Sequence, residues 1–246
     1  MHLFKQEYRY RSEAIILWGR TSCQRLTRAM HVALPREMRD LVYEHLLDAT
    51  MLWRLQCLVA ITPWPEDALI PHIVDPTYVD RAIMTEVVEK AYKYEFAESE
   101  ILLQDLSRRL WRDSFQIGLR PLDCIEKARV HWRIGYSTFY RLPELVKNDL
   151  GILKLLPRAD AGFRLSIAIS ATPGEFRWED LENSLQAIRP FHERGFRIAV
   201  VLQADTPEVW NLDEFFLDYN EAWVTGMKKD IDQVSVATNH YRCEVY

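Results

Sequence analysis

Residues 163–170 read Phe-Arg-Leu-Ser-Ile-Ala-Ile-Ser, so a large apolar side chain occupies every second position. Two other stretches, residues 129–134 and 196–203, show the same alternation, the second with a small deviation. A period of two sends successive side chains to opposite faces of a strand, and only one face is apolar here. These stretches therefore predict three β-strands, each with one buried face.

Apolar residues at helical spacing follow each of the three predicted strands. They occupy residues 143–155, 178–193 and 213–228, and Gly195 stands where a left-handed helix cap is expected. Alternating strands and helices favour crossover connections and a largely parallel sheet, although antiparallel pairing also fits. Strands with one polar face indicate two layers, with helices on one side. The predicted fold class is α+β or α/β, with N-terminal helices followed by a βαβαβα two-layer unit with one sheet.

The N-terminal half is mainly helical in pattern, while residues 51–61 fit a strand or a helix equally well. The predicted helices run from Ser12 to Met30, from Arg36 to Leu47, from Arg81 to Phe96 with Asp80 as cap, and from Ser99 to Leu110. Gln233 to Ala237 is a candidate short strand near the end. We therefore expect a basic N-terminal helix or arm (1–30), a mainly helical region (31–120) and a sheet-and-helix region (121–246), packed as one compact module.

Charge and composition argue against two classes of partner, nucleic acid and membrane. The net charge is −5, although residues 1–40 carry 8 Lys and Arg against 4 Asp and Glu. An acidic chain disfavours non-specific binding to nucleic acid, with a basic N-terminal arm as the one part that suits it. Apolar runs are too short to span a bilayer, which predicts no membrane partner.

The four cysteines are widely spaced, as expected for reduced thiols in a soluble cytoplasmic or nuclear protein. The first ten residues lack a signal-peptide core. The Arg-rich residues 9–30 leave a mitochondrial transit segment as an alternative to a helix that packs on the body of the protein. That helix would bury Ile15, Ile16, Leu17 and Leu26.

Familiar catalytic and metal-binding motifs do not occur in the sequence. There is no Gly-rich phosphate loop, nucleophile elbow or zinc-protease helix, and His240 and Cys243 have no second ligand pair nearby. Glu214, Asp218 and Glu221 share one predicted helix face, which is typical of a solvated surface. We predict no catalytic residue, metal or cofactor and favour a protein that is not an enzyme, with a dispersed active site as an alternative.

One motif points to a protein partner. Residues 34–47 read Leu-Pro-Arg-Glu-Met-Arg-Asp-Leu-Val-Tyr-Glu-His-Leu-Leu. This segment resembles the start of an F-box, and more closely the opening of the F-box-like domains of filamentous fungi. In that family the helix docks on an Skp-type adaptor of a ubiquitin ligase. The resemblance implies the adaptor contacts Leu34, Pro35, Met38, Val42 and Leu46, whereas the plainer interpretation is an amphipathic helix packed in its own core.

The leading function prediction is therefore a non-enzymatic protein–protein interaction protein of F-box-like type. The resemblance extends this to a ubiquitin-ligase substrate adaptor, with an Skp-type adaptor or another protein as partner.

A second candidate site lies on the polar face of the predicted strands. It consists of Arg129, His131, Arg133, Arg164 and Arg197. If the strands are parallel neighbours, Arg129, Arg164 and Arg197 form a row at one end of the sheet, and guanidinium groups suit phosphate or carboxylate. The competing interpretation is that these arginines pair with acidic residues elsewhere. If these arginines are unpaired, the alternative function is an anion- or nucleic-acid-binding module.

Overall fold

A computed structural model of the protein describes residues 2–60, 71–134, 150–155, 163–171, 178–204, 209–212, 225–226 and 228–229. The chain forms two compact units. Residues up to 95 together with 113–121 make the first unit, and residues 96–112 together with those from 122 onward make the second.

The first unit is built from four helices. They are α1 (His2–Ala33), α2 (Arg36–Leu46), α3 (Ala49–Ala60) and α4 (Arg81–Glu98), of which α4 contributes its last three residues to the second unit. A 3-10 turn, His72–Val74, precedes α4. The ambiguous residues 51–61 are thus helical as far as Ala60.

α1 is longer than the sequence pattern predicts. It begins at His2 rather than at Ser12, because no proline interrupts it and serine is tolerated inside a helix as well as at its cap. Pro35 follows its end and disfavours helical backbone at Leu34.

The predicted packing of α1 through its apolar residues is wrong, because the four side chains named for it are exposed. They are Ile15, Ile16, Leu17 and Leu26. Polar contacts hold the second half of the helix instead. Gln24 donates to the carbonyl of Pro76 at 3.1 Å, and Arg28 pairs with Asp80 at 3.3 Å.

The core of the first unit forms around α4. Its start is confirmed, since Asp80 Oδ1 accepts a hydrogen bond from the Ala82 N–H at 3.1 Å, as an N-cap should. The backbone N–H of Ser114 donates to the Tyr92 hydroxyl at 3.0 Å and joins residues 113–121 to the helix. Fully buried side chains fill the space between, among them Tyr43, Leu55, Val87, Val88 and Tyr92.

The second unit is a five-stranded sheet with the order β1-β2-β3-β4-β5. The strands are β1 (Glu100–Leu102), β2 (Lys127–Ile134), β3 (Arg164–Ala171), β4 (Arg197–Ala204) and β5 (Val209–Asn211). The first four are parallel, and β5 pairs antiparallel with β4. Two helices, α5 (Leu103–Trp111) and α6 (Trp178–His192), belong to the same unit.

The predicted one-sided sheet is confirmed. Val130, Leu165, Ile167, Ile169 and Val200 are buried on one face, together with the apolar stripe of α6 at Leu181, Leu185 and Ile188. Phe191 of α6 packs edge-on against Phe196 at 5.7 Å, which places the helix on that face. The side chains that alternate with them on the strands point to a largely exposed face, called here the open sheet face.

Gly195 ends the connection from α6 to β4 as predicted. Its φ is +91°, and the N–H groups of Phe196 and Gly195 donate to the carbonyls of Phe191 and His192 at 3.2 and 2.9 Å. This pair of bonds is the Schellman arrangement, in which glycine adopts the left-handed conformation at the lowest cost.

Two short strands differ from the prediction. The helix expected from Ser99 starts at Leu103, because residues 100–102 instead pair with β2 as an edge strand. β5 is likewise formed by pairing with β4 rather than by any alternation of its own. Long-range pairing of this kind overrides local pattern in three-residue strands.

Several predictions fall partly or wholly outside the described residues. Of the helix at 143–155, the described part is helical at residues 150 and 151 and continues as a 3-10 turn, Ile152–Leu155. The helix at 213–228 and the strand at 233–237 lie almost entirely outside the described residues. In the part of the chain that is described, none of the helices has the length and apolarity needed to cross a membrane.

Candidate functional site

α2 starts and ends at well-defined residues. Pro35 precedes it with φ −56° and ψ 157°, an extended conformation from which the chain turns directly into the helix at Arg36. The Leu47 N–H donates to the Tyr43 carbonyl at 2.7 Å and closes the last turn. The helical backbone therefore determines on which face of α2 each residue lies.

The inner side of α2 carries a buried polar network. Arg39 donates to Glu86 of α4 through Nε at 2.9 Å and Nη2 at 2.6 Å, a bidentate pair. The Tyr43 hydroxyl donates to Glu86 Oε2 at 2.6 Å. Arg39 Nη1 also donates to the carbonyls of His31 and Leu34 at the end of α1. Planar two-point contacts of this kind fix orientation as well as distance.

Burial and hydrogen bonding oppose each other at Glu86. Burial alone would raise the pKa of its carboxyl, but hydrogen bonds from Arg39 and Tyr43 and the charge of Arg36 outweigh this and hold the pKa below its ordinary value. The pKa of the Tyr43 hydroxyl is raised, first by burial and then by its hydrogen bond to Glu86. The carboxylate is ionised and the phenol neutral at neutral pH.

A rim of ion pairs surrounds this network. Arg36 Nη2 lies 3.2 Å from Glu89 Oε2, and Lys90 Nζ lies 3.3 Å from Asp40 Oδ1. These pairs are partly solvated, so each stabilises the unit only slightly. Together they join polar positions of α2 to α4 and leave its apolar positions uncovered.

Apolar side chains occupy the far side of α2. Met38, Leu41 and Leu46 are 50, 51 and 52 % exposed, and Val42 is half-buried. We call these four residues the outer face of α2. In globular proteins an amphipathic helix buries its apolar side and exposes its polar side. α2 departs from this pattern in part, because Arg39 points inward while Met38, Leu41 and Leu46 are exposed. The polar residues Glu37, Glu44 and His45 of the same helix are exposed as well.

The structure therefore separates the five residues implied by the F-box resemblance. Pro35, Met38 and Leu46 are exposed, whereas Leu34 and Val42 are half-buried. The motif did not indicate Leu41, although its three-residue spacing from Met38 on a helix was a usable signal. The interpretation of α2 as a helix packed in its own core through its apolar residues does not hold for Met38 and Leu41.

The open sheet face brings the basic residues of the second prediction onto one surface, but in a different register. Arg164 lies opposite Arg197, as expected, yet its partner on β2 is Lys127 rather than Arg129. Arg129 lies two residues further along, opposite Ser166. The prediction missed Lys127 because the strand was started at residue 129, although the alternation extends back to residue 127.

The remaining two predicted residues lie further along β2. His131 shares the open sheet face, and Arg133 takes the same face by register, opposite Ser170, although its side chain lies outside the described part. Neither belongs to the row at the start of the strands. In the described residues no group of three or more His, Cys, Asp or Glu side chains could hold a metal ion.

His131 makes a cross-strand contact that resembles part of a catalytic triad. Its Nε2 lies 2.8 Å from the Ser170 hydroxyl, and its Nδ1 lies 3.8 Å from Glu100 Oε2. A base that activates a serine must be oriented by a third group within hydrogen-bond reach. A separation of 3.8 Å exceeds that reach, and the Glu100 side chain is 61 % exposed, so we assign no catalytic role to these residues.

The other sequence features lie where the structure gives no description. Glu214, Asp218 and Glu221, together with His240 and Cys243, fall outside the described residues. Of the cysteines in the described part, Cys23, Cys57 and Cys124 form no disulfide.

No family model matches this chain, and no curated protein or solved structure matches it with significance. The likeness to F-box-like domains therefore rests on the residues of the motif alone.

Proposed function

We propose that this protein is an interaction protein of F-box-like type that docks on a protein partner through the outer face of α2. The observation that carries the proposal is the exposure of apolar side chains on the outer face of α2. Exposed apolar positions at helical spacing are how an amphipathic helix engages a groove of its partner. The motif resemblance supports an Skp-type adaptor as that partner.

The anchoring of α2 strengthens the proposal. A docking helix binds best when it is held in place before the partner arrives, because less conformational entropy is then lost on binding. The bidentate Arg39–Glu86 pair and the Tyr43 hydrogen bond fix α2 from its inner side. This network leaves Met38 and Leu41 free for the partner.

The direct test is binding of a purified Skp-type adaptor to the full chain by isothermal titration calorimetry. We expect the double variant Met38→Asp/Leu41→Asp to weaken binding roughly thirtyfold, as loss of a central apolar contact does. Both side chains are half-exposed, so the variant should keep the far-ultraviolet circular dichroism spectrum of the natural chain. Val42 is a less suitable position for this substitution, because it is half-buried and an aspartate there could destabilise the fold.

Leu155→Asp is the matched control. Leu155 is 56 % exposed and lies in a 3-10 turn of the second unit, so the substitution makes the same chemical change at an equally exposed site. It should leave adaptor binding unchanged. Failure of the natural chain to bind the adaptor would remove the adaptor as partner, and equal binding by the double variant would remove α2 as the docking surface.

A further inference from the structure

The first residues of three neighbouring parallel strands place three cations in one row. Lys127 of β2 lies opposite Arg164 of β3, and Arg164 lies opposite Arg197 of β4. We call these residues the cationic row. All three side chains are exposed on the open sheet face. Neighbouring strands are about 4.8 Å apart, so the three side chains leave the sheet within roughly 10 Å of one another.

Among the described residues, an acidic side chain neutralises the cationic row only at its β2 end. Lys127 Nζ lies 3.4 Å from Glu98 Oε1, and Arg129, the next residue on that face of β2, lies 4.0 Å from the other oxygen of the same carboxylate. Within the described residues, Arg164 and Arg197 have no ion-pair partner. The expected pairing of these two arginines with acidic side chains is therefore not found there.

Two unpaired guanidinium groups directly opposite each other weaken a sheet. Like charges at opposed positions repel, and arginine cannot relieve the repulsion by losing its proton. The strands nevertheless start together at this point, where the Arg164 N–H donates to the Glu126 carbonyl at 3.0 Å and the Arg197 N–H to the Phe163 carbonyl at 2.9 Å. The backbone thus holds two cations together for which the described residues supply no counterion.

Small side chains lie beside the two arginines on the open sheet face. The next residues on the same face are Ser166 on β3 and Ala199 on β4, both small and exposed. A ligand above them meets guanidinium groups from one side and a serine hydroxyl from below. Planar N–H forks and a hydroxyl donor are the groups that recognise the oxygens of a phosphate.

We propose that Arg164 and Arg197, with Lys127 beside them, bind the phosphate group of a small anionic ligand. A phosphate dianion matches the two charges that have no ion-pair partner among the described residues. Nucleic acid fits less well, because Glu98 and Glu100 stand next to the row on the β1 side and interrupt the positive surface that a longer polyanion would follow. This site goes beyond the docking function proposed for α2.

The test is the thermal unfolding of the full chain in chloride and in inorganic phosphate at equal ionic strength. The variants are Arg164→Gln, Arg197→Gln and their combination. Arg189→Gln is the control, since Arg189 is an arginine of the same unit that pairs with Glu193 at 3.6 Å. Phosphate also stabilises proteins non-specifically, and this effect is the same for variant and control, so their difference isolates binding.

In chloride, the combined variant should unfold at the same or a higher temperature than the natural chain, since it removes repulsion. In phosphate, the natural chain and Arg189→Gln should gain on the order of 3 °C more than the combined variant when phosphate is about tenfold above its Kd. Phenyl phosphate in place of inorganic phosphate then asks whether the site admits a phosphate monoester. An equal or larger gain supports an organic phosphate as ligand, and a smaller gain supports free phosphate.

Two results would overturn the proposal. One is an equal phosphate-dependent gain in the natural chain and the combined variant. The other is a combined variant that is less stable than the natural chain in chloride, because the arginines would then serve the fold rather than a ligand. Isothermal titration of phosphate into each single variant provides a second readout that does not depend on stability, and unchanged affinity there contradicts the site as well.

Discussion

The carboxylate of Glu86 accepts three hydrogen bonds, two from Arg39 and one from Tyr43. Removing its charge leaves the guanidinium of Arg39 buried without a counterion, and breaking a buried pair costs far more than the intact pair contributes. We expect Glu86→Gln to lower the free energy of unfolding by about 3 kcal/mol in urea titration. Glu89→Gln, on the same helix but in the partly solvated rim, should cost less than about 1 kcal/mol.

The contribution of Glu86 should also depend on pH. Its pKa in the folded protein lies below the ordinary value of 4.5, so the unfolded chain takes up the proton first as pH falls. The contribution is complete above pH 4.5 and is lost as pH falls through the folded-state pKa. The stability difference between the natural chain and Glu86→Gln should therefore shrink as pH falls below 4.5. A constant difference down to pH 3 would contradict the ionised network.

Single residues also show why the site could be predicted only in part. The sequence pattern placed Arg164 and Arg197 correctly, because each is the second residue of an alternating stretch, after Phe163 and Phe196. It missed Lys127, because the strand was started at residue 129 although the alternation reaches residue 127. That Lys127 lies opposite Arg164 could not be predicted, because register is fixed by pairing between strands. Nor could it show that Arg39 and Tyr43 point inward, since their partner Glu86 lies 47 residues along the chain from Arg39.

At the scale of elements, the long alternating strands and α6 were predictable, because each buries one face over many residues. β1 and β5 were not, because three residues carry too little pattern and exist as strands only through their neighbours. α1 shows the converse. Its backbone is helical over 32 residues, yet the four apolar side chains expected to pack are exposed, so local pattern alone misjudged both its start and its contacts.

The cap of α6 gives a prediction at the same scale. Gly195 has a φ of +91°, which L-residues adopt at a cost, so Gly195→Ala should lower the free energy of unfolding by about 1–2 kcal/mol. Gly151→Ala is the control, because an added Cβ there meets nothing within 4 Å and φ is not positive. Chemical denaturation of both variants measures the two changes in the free energy of unfolding. Equal stability of the two would mean that the turn into β4 is not held as described.

At the scale of the whole molecule, the two proposed surfaces belong to different compact units and share no residue. We therefore expect Met38→Asp/Leu41→Asp to leave the phosphate-dependent gain in thermal stability unchanged. Likewise, Arg164→Gln/Arg197→Gln should leave adaptor binding unchanged, as independent sites add without coupling. Loss of both functions in either variant would show that one substitution had damaged the fold.

Hydroxyl-radical footprinting of the full chain, with and without the Skp-type adaptor, tests the docking claim most directly. In the free protein Met38 should be oxidised readily, and Met84, only 2 % exposed, should not. Excess adaptor should protect Met38 and Leu41 and leave Trp111, which is 45 % exposed in the second unit, as reactive as before. Oxidation of Met38 that is unchanged by excess adaptor would contradict docking through α2.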